Sequence, residues 1–128
     1  MSEGDRTSEG RIDYVELPSA TAHELTRAFY ARAFGWSFEN YGPDYSATAG
    51  ATVDVGLNGH QEDALSAPLP VIRVSSLEAA LDEVCEAGGI IARPIYSFPG
   101  GRRFHFIDPG GNELAVWTAD DGADNEGA

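Results

Sequence analysis

The pattern of apolar and polar positions predicts a strand, a helix and three further strands in the first half of the chain. A strand spans Arg11–Pro18, and the helix that follows has one apolar face formed by Leu25, Phe29 and Ala33. Gly35 is expected to end this helix, because glycine readily adopts the left-handed conformation that closes one. Three short strands are then predicted over Trp36–Asn40, Tyr45–Ala49 and Thr52–Leu57.

The second half of the chain repeats this order. A strand over Leu69–Val74 precedes a helix whose apolar face is formed by Leu77, Leu81 and Val84, and the glycines at 88–89 stop that helix. Three strands are again predicted, over Ile90–Ile95, Arg103–Ile107 and Glu113–Thr118. The opening strands of the two halves align at a shift of 57 residues, which indicates an internal repeat.

Each predicted helix begins with a capping box. Thr21 is the expected N-cap of the first helix, with Glu24 three residues later, and Ser75 with Glu78 has the same roles in the second. In a capping box the side chains of the two residues hydrogen-bond to each other's backbone N–H groups. These positions therefore predict where each helix starts.

The predicted elements form an α+β fold of two βαβββ modules, whose curved mixed sheets pair around a cleft. Neither module buries the inner face of its own sheet alone, so the two are expected to pack together. The predicted organisation is an acidic flexible tail at 1–10, one domain over 11–118 with modules 11–58 and 69–118 and a loop at 59–68, and an acidic tail at 119–128.

The composition is typical of one globular domain and restricts the kinds of molecule that it can bind. The 128 residues are 42% hydrophobic, and the net charge is −13 because 21 acidic residues outnumber eight basic ones, all arginine. Such a charge repels nucleic acid and anionic membrane surfaces and favours cationic or neutral aromatic ligands. No apolar run reaches the roughly 20 residues of a membrane helix, and Cys85 is the single cysteine. We therefore expect no membrane association and a reducing, cytoplasmic location.

Two segments of the chain resemble a known family. AFYARAFGW at 28–36 and FHFIDPGGNELAVW at 104–117, set in the duplicated βαβββ pattern, are similar to the vicinal oxygen chelate superfamily. This group contains glyoxalase I, bleomycin resistance proteins and extradiol dioxygenases. The resemblance covers roughly residues 11–118 and implies the paired-module fold, a ligand cleft and a homodimer. It does not specify the reaction, because this fold carries several chemistries.

Enzymes of the family hold a divalent metal, and the resemblance carries their ligand positions to Ile12, Asp54, Leu69 and Ala115. Of these residues only Asp54 has a side chain that can bind a metal, whereas a divalent ion needs three or four ligands. A shift of one residue would bring in Asp13 or Glu113, but strand alternation would then misplace their neighbours. We therefore predict no metal site and no cofactor, with a divalent metal as the alternative.

Strand alternation also predicts which side chains reach the cleft. The expected ligand-binding residues are Tyr14, Glu16, Asp54, Arg73, Arg103, Glu113 and Trp117. The best candidate for a general base is His105, since histidine titrates near neutral pH. Two alternatives stay open: Phe104 and Phe106 face the cleft in place of Arg103 and His105, and Glu16 forms an ion pair with Arg73 instead of binding a ligand.

The leading interpretation is a metal-independent protein that binds a small organic ligand in its cleft and forms a homodimer. One alternative is an enzyme. It is a metal-dependent lyase, isomerase or dioxygenase with a displaced site, or a metal-free acid–base catalyst that uses Asp54, Glu113 and His105. Another alternative is a scaffold that binds a partner and no ligand. The sequence does not decide whether a reaction is catalysed.

Overall fold

The computed structural model describes residues 9–60 and 66–120, and within them the predicted order of elements occurs twice. Most of both predicted tails and the centre of the predicted loop lie outside the described residues. The elements are β1 (Arg11–Pro18), α1 (His23–Phe34), β2 (Glu39–Asn40), β3 (Tyr45–Ala47), β4 (Asp54–Asn58), β5 (Leu69–Arg73), α2 (Leu77–Glu86), β6 (Ile90–Phe98), β7 (Gly101–Ile107) and β8 (Glu113–Ala119). No helix of this described part is long and apolar enough to cross a membrane.

The described residues divide into two compact units, one of 13–60 with 66–69 and one of 9–12 with 70–120. In the first unit β1 pairs in parallel with β4, which pairs antiparallel with β3, and β3 pairs antiparallel with β2. In the second unit β5 pairs in parallel with β8, and β7 pairs antiparallel with both β8 and β6. Each module is thus a four-stranded mixed sheet with one helix.

The core of the second module lies between α2 and its sheet. Leu77 of α2, Phe104 of β7 and Val116 of β8 are buried against one another. Burial of such apolar side chains is the main force that holds a helix against a sheet. The face of the sheet that carries Phe104 and Val116 is therefore its helix side.

The two helices begin one residue later than the capping boxes predict. In α2 the N-cap is Ser76, whose hydroxyl accepts a hydrogen bond from the Ala79 N–H group at 3.3 Å, so Ser75 is not the cap. In α1 the N-cap is Ala22, and no side chain caps it. Thr21 is not available for this role because a tight turn, in which the Ala22 N–H group bonds to Ser19 O at 2.9 Å, precedes the helix.

The predicted apolar face of α1 is not buried within its own module. Leu25 is 76% exposed and Phe29 is 58% exposed, while the buried side chain of the helix is His23. A first-turn position of a helix is usually exposed, but the His23 side chain is buried. Gly35 ends the helix as predicted, in the left-handed conformation, and its N–H group bonds to Ala31 O at 2.9 Å.

Strand β6 is longer than predicted and irregular. Its pairing with β7 shifts register on both sides of Arg93. Between the pairs Arg93–His105 and Tyr96–Arg103, two residues intervene on β6 but only one on β7. The extra residue forms a β-bulge, and Pro94, which has no N–H group, lies within it. Proline is tolerated here because β6 is an edge strand of its module.

Candidate functional site

Strand β7 directs alternate side chains to opposite faces of the second module's sheet. Phe104 is fully buried on the helix side, and Phe106 packs against the same core. Because side chains alternate along a strand, Arg103 and His105 lie on the other face. Phe104 and Phe106 therefore lie on the helix side of the sheet, and the contact of Arg103 and His105 with a ligand stays a prediction.

A row of four side chains crosses this second face. Arg73, Trp117, Arg103 and Tyr96 are direct neighbours on adjacent strands in the order β5, β8, β7 and β6. The Arg73 guanidinium lies 4.8 Å from the centroid of the Trp117 ring, within the range of a cation–π interaction. We call the surface the arginine–aromatic face, and its members are Arg73, Arg93, Tyr96, Phe98, Arg103 and Trp117.

The β-bulge in β6 completes the arginine–aromatic face. Regular alternation places residues 93 and 96 on opposite sides of a strand, but the extra residue brings both to the side of Arg103. The Arg93 guanidinium consequently lies 4.1 Å from the centroid of the Tyr96 ring, and that of Arg103 lies 5.6 Å from the Tyr96 and Phe98 rings. Sequence reasoning missed Arg93, Tyr96 and Phe98 because it assumed a regular, shorter strand.

A chain of hydrogen bonds runs across this face from Arg103 to Glu113. The Arg103 Nε–H group donates to the Tyr96 hydroxyl, which lies 3.0 Å from His105 Nε2, and His105 Nδ1 lies 2.8 Å from a Glu113 carboxylate oxygen. Since an ionised carboxylate only accepts, the network assigns the proton of neutral His105 to Nδ1. His105 Nε2 then accepts the proton of the Tyr96 hydroxyl.

Burial lowers the pKa of His105 below its ordinary value of 6.5. The side chain is 2% exposed, and the nearby charges of Arg103 and Arg93 act in the same direction as burial. The hydrogen bond and charge of Glu113 act in the opposite direction and offset part of this effect. His105 is therefore neutral at pH 7, which is the form that can accept a proton from Tyr96.

This shift predicts a loss of stability in mild acid. Because the folded protein binds the His105 proton more weakly than the unfolded chain does, stability is full above pH 6.5 and falls as the pH drops through the lower folded pKa. One group contributes at most about 1.4 kcal/mol per pH unit. Denaturant unfolding between pH 7.5 and 5.0 should show a shallower decline for His105→Gln than for wild type. Equal slopes in the two proteins would contradict the assignment.

The first module holds a second polar cluster, formed by Tyr14, Glu16 and Tyr45. The two tyrosine hydroxyls bond to each other, and the Tyr45 hydroxyl donates to the buried Glu16 carboxylate at 2.8 Å. Burial, together with the charge of Glu16, raises the pKa of Tyr45 far above its usual value. A Cβ atom on Gly56 would overlap both hydroxyls, so the cluster needs glycine at this position of β4. The alternative ion pair of Glu16 with Arg73 stays a prediction.

Asp54 closes a loop next to this cluster. One oxygen of its carboxylate accepts hydrogen bonds from the Thr48 hydroxyl at 2.8 Å and from the Ala51 N–H group at 3.2 Å. The other family ligand positions carry apolar side chains, as noted above. Across residues 9–60 and 66–120 no three His, Cys, Asp or Glu side chains form a group that fits a metal ion. That the protein has no metal site stays a prediction.

His23 belongs to a separate buried chain of hydrogen bonds in the first module. Its Nδ1 lies 2.7 Å from the Ser19 hydroxyl oxygen and its Nε2 lies 3.0 Å from that of Ser46, which donates to the Asn40 side-chain oxygen at 2.6 Å. Because Ser46 uses its proton on Asn40, the network assigns the His23 proton to Nε2. Every member of this chain has a partner, as a structural network requires.

A groove of about 450 Å³ lies on the helix side of the second module. Its walls are mostly apolar and include Ile72, Ala80 and Val116, with Glu9 and Glu83 among the polar lining residues. None of the expected ligand-binding residues lines it, and neither does His105, but Phe106, which the sequence offered as an alternative cleft residue, does. The groove is therefore a different surface from the arginine–aromatic face, which lies across the sheet.

Comparison with known proteins identifies the family. A family model described as the glyoxalase/bleomycin resistance protein/dioxygenase superfamily matches residues 11–116, and the chain belongs to this superfamily. The Mycobacterium bovis protein CFP32, whose name marks it as a candidate glyoxylase, is 26% identical over 125 residues. That match covers 87% of this chain and 46% of the relative, so the chain spans about half the length of the curated relatives it matches.

Solved structures show the same fold. Methylmalonyl-CoA epimerase from Mycobacterium tuberculosis has a TM-score of 0.71 at 15% identity, covering 88% of this chain and 89% of its own. A superfamily member from Vibrio splendidus has a TM-score of 0.64 at 21% identity, covering 84% and 97%. The Mn(II)-bound glyoxalase from Novosphingobium aromaticivorans has a TM-score of 0.64 at 19% identity, covering 87% and 39%. The predicted family and α+β fold are confirmed.

Proposed function

We propose that the protein binds a small organic anion, an aromatic carboxylate, on the arginine–aromatic face of its second module, and that this binding needs no metal. The proposal rests chiefly on one observation. Arg73, Trp117, Arg103 and Tyr96 stand in a single row across four adjacent strands. Sites for small molecules characteristically combine apolar or aromatic walls with a few convergent polar groups.

The chemistry of the row favours a carboxylate with an attached ring. Guanidinium groups present several N–H donors in a plane and pair with both oxygens of a carboxylate. The rings of Trp117 and Phe98, 6.2 Å apart, provide aromatic surface beside these donors. Net charge alone favours cationic ligands. However, three of the eight arginines of this acidic chain belong to this face, and nearby charges act more strongly than distant, screened ones.

Calorimetric titration with matched probes tests the proposal. Protein dialysed against EDTA is titrated with benzoate, phenylacetate and phenylpyruvate, and with benzylamine as a cation of similar size. We expect saturable binding of at least one carboxylate and none of benzylamine. Preference for benzylamine, or carboxylate binding that appears only after a divalent metal is added back, would contradict the proposal.

We further propose that two copies of the chain pair through α1. Phe29 and Phe34, 58% and 63% exposed, have ring centroids 6.5 Å apart, and Leu25 extends the same exposed surface. Exposed apolar patches of this kind commonly mark protein interfaces. We propose a second copy of the chain as the partner that covers this surface. The matched relatives are about twice as long as this chain, which is long enough for two such domains side by side.

The Phe29→Glu variant should therefore be monomeric where the wild type is a dimer. A charge placed in an apolar interface must lose its hydration without gaining a partner, so association weakens strongly. Sedimentation equilibrium measures the mass of both proteins, and Ile90→Glu, at a 67% exposed position of the second module, is the control that should stay dimeric. A monomeric wild type, or dissociation by Ile90→Glu alone, would refute the assignment of this surface.

The proposed cellular setting is the cytoplasm. Cys85 is a free, exposed thiol, which suits a reducing compartment. Location of a tagged protein expressed at its natural level tests this assignment directly.

A further inference from the structure

We infer that Tyr96, His105 and Glu113 form a proton-transfer relay, which removes a proton from the carbon beside the carbonyl group of a bound 2-oxo acid. This inference rests on the proposed carboxylate site and adds a reaction to it. The observation that carries it is the directed hydrogen-bond chain from the Tyr96 hydroxyl to His105 Nε2 and from His105 Nδ1 to Glu113. In such a chain a residue that touches the substrate is linked to a base, and the base is oriented by a third group.

The Tyr96 hydroxyl has the electron pairs that this role requires. Its oxygen accepts one hydrogen bond from the Arg103 Nε–H group and uses its own proton towards His105, which leaves one lone pair. The ring is half-buried and lies on the arginine–aromatic face, where the carboxylate is proposed to bind. A ligand held there by the arginines brings its neighbouring carbon towards this oxygen.

Proton transfer through the relay conserves atoms and electrons and needs no reagent other than water. The Tyr96 oxygen takes the proton from carbon while the Tyr96 proton moves to His105 Nε2, so one C–H and one O–H bond break while one O–H and one N–H bond form. The electron pair of the C–H bond becomes a carbon–carbon double bond, and the carbonyl pair moves onto oxygen. The enolate takes a proton from water, and His105 returns its proton to the resulting hydroxide.

The surrounding charges suit each stage of this transfer. The Arg103 guanidinium bonds to the Tyr96 hydroxyl, so a positive charge lies beside the proposed point of proton abstraction, and a preorganised cation stabilises a developing enolate in the transition state. The Glu113 carboxylate bonds to the imidazole and stabilises the imidazolium that forms. Neutral His105 is the required starting form, and its lowered pKa keeps it neutral down to pH values below 6.5.

Hydrogen–deuterium exchange of phenylpyruvate tests the relay. The loss of the methylene signal in deuterated water is followed by proton NMR, and the rate in buffer alone is subtracted. We expect the wild type to catalyse exchange and Tyr96→Phe to lose about 100-fold or more of the catalysed rate, a typical contribution of acid–base catalysis. The matched control Tyr41→Phe, which changes an exposed tyrosine, should keep the wild-type rate within about twofold.

The pH profile distinguishes a relay from a structural role. The catalysed rate should fall below pH 6.5 as His105 gains a proton, and His105→Gln should lose catalysis without losing calorimetric binding of phenylpyruvate. Glu113 acts as a positioning residue, and its negative charge stabilises protonated His105. In Glu113→Gln the fall of the rate on the acid side of the pH profile, its acid limb, should therefore move to lower pH. Catalysis that persists in His105→Gln, or an acid limb that Glu113→Gln leaves at its wild-type pH, would contradict the relay.

Failure of the relay and failure of the site give different results. If phenylpyruvate binds but the wild type does not speed its exchange, or if Tyr96→Phe exchanges at the wild-type rate, the relay is wrong and the binding site stands. If neither phenylpyruvate nor the other carboxylates bind, the proposed function is wrong and the relay with it.

Discussion

Replacing Phe104 by alanine is expected to lower the free energy of unfolding by about 3–5 kcal/mol. The side chain is fully buried between β7 and α2, where it packs against Leu77 and Val116. Truncation removes the ring's burial and leaves a cavity that the surrounding strands and helix fill only in part. Denaturant unfolding at a fixed protein concentration measures the change.

An exposed apolar residue of the same module provides the control. Ile90→Ala should change the free energy of unfolding by no more than about 0.5 kcal/mol, because Ile90 is 67% exposed. A small loss for Phe104→Ala would mean that Phe104 is not a core residue. In that case the assignment of Arg103 and His105 to the opposite face of the sheet would lose its basis.

Replacing Arg103 by glutamine is expected to weaken binding of an aromatic carboxylate by about 10- to 150-fold. The estimate follows from the roughly 1.5–3 kcal/mol that a hydrogen bond to a charged group contributes. Arg103 lies at the centre of the arginine–aromatic face, between Trp117 and Tyr96. Calorimetric titration with the best carboxylate of the panel measures the change.

Arg102 provides a neighbouring control with the same chemistry. Its guanidinium bonds to the Glu78 carboxylate of α2 at 2.7 Å, which places it on the helix side of the sheet. Arg102→Gln should therefore leave carboxylate affinity within about twofold of wild type. Equal losses in the two variants would show that overall charge, and not this face, controls binding.

The repeated order of elements could be predicted from sequence because hydrophobic periodicity and turn residues are local signals. Gly35 ends α1 for a reason that the sequence contains, since glycine tolerates the left-handed conformation. The faces of β7 could be assigned only as a pair of alternatives, because strand alternation gives two faces without stating which one meets a helix. The contact of Phe104 with α2 decided between them.

Other features depend on packing that the sequence does not reveal. The bulge around Pro94 changes which β6 side chains share a face, so Arg93 and Tyr96 could not be placed by regular alternation. His23 occupies a first-turn position that is usually exposed, yet hydrogen bonds to Ser19 and Ser46 bury it. The predicted residues Tyr14, Glu16 and Asp54 lie in the first module, and their part in ligand binding stays a prediction.

The measurement that tests the central claim most directly is a fluorescence titration of the Trp36→Phe variant, in which Trp117 is the sole tryptophan. Trp117 lies in the row of the arginine–aromatic face, whereas Trp36 stacks on Tyr30 next to α1. With EDTA present, we predict a saturable change in Trp117 emission on addition of the best aromatic carboxylate, with the affinity found by calorimetry. Calorimetric binding that leaves Trp117 emission unchanged would contradict the proposed site.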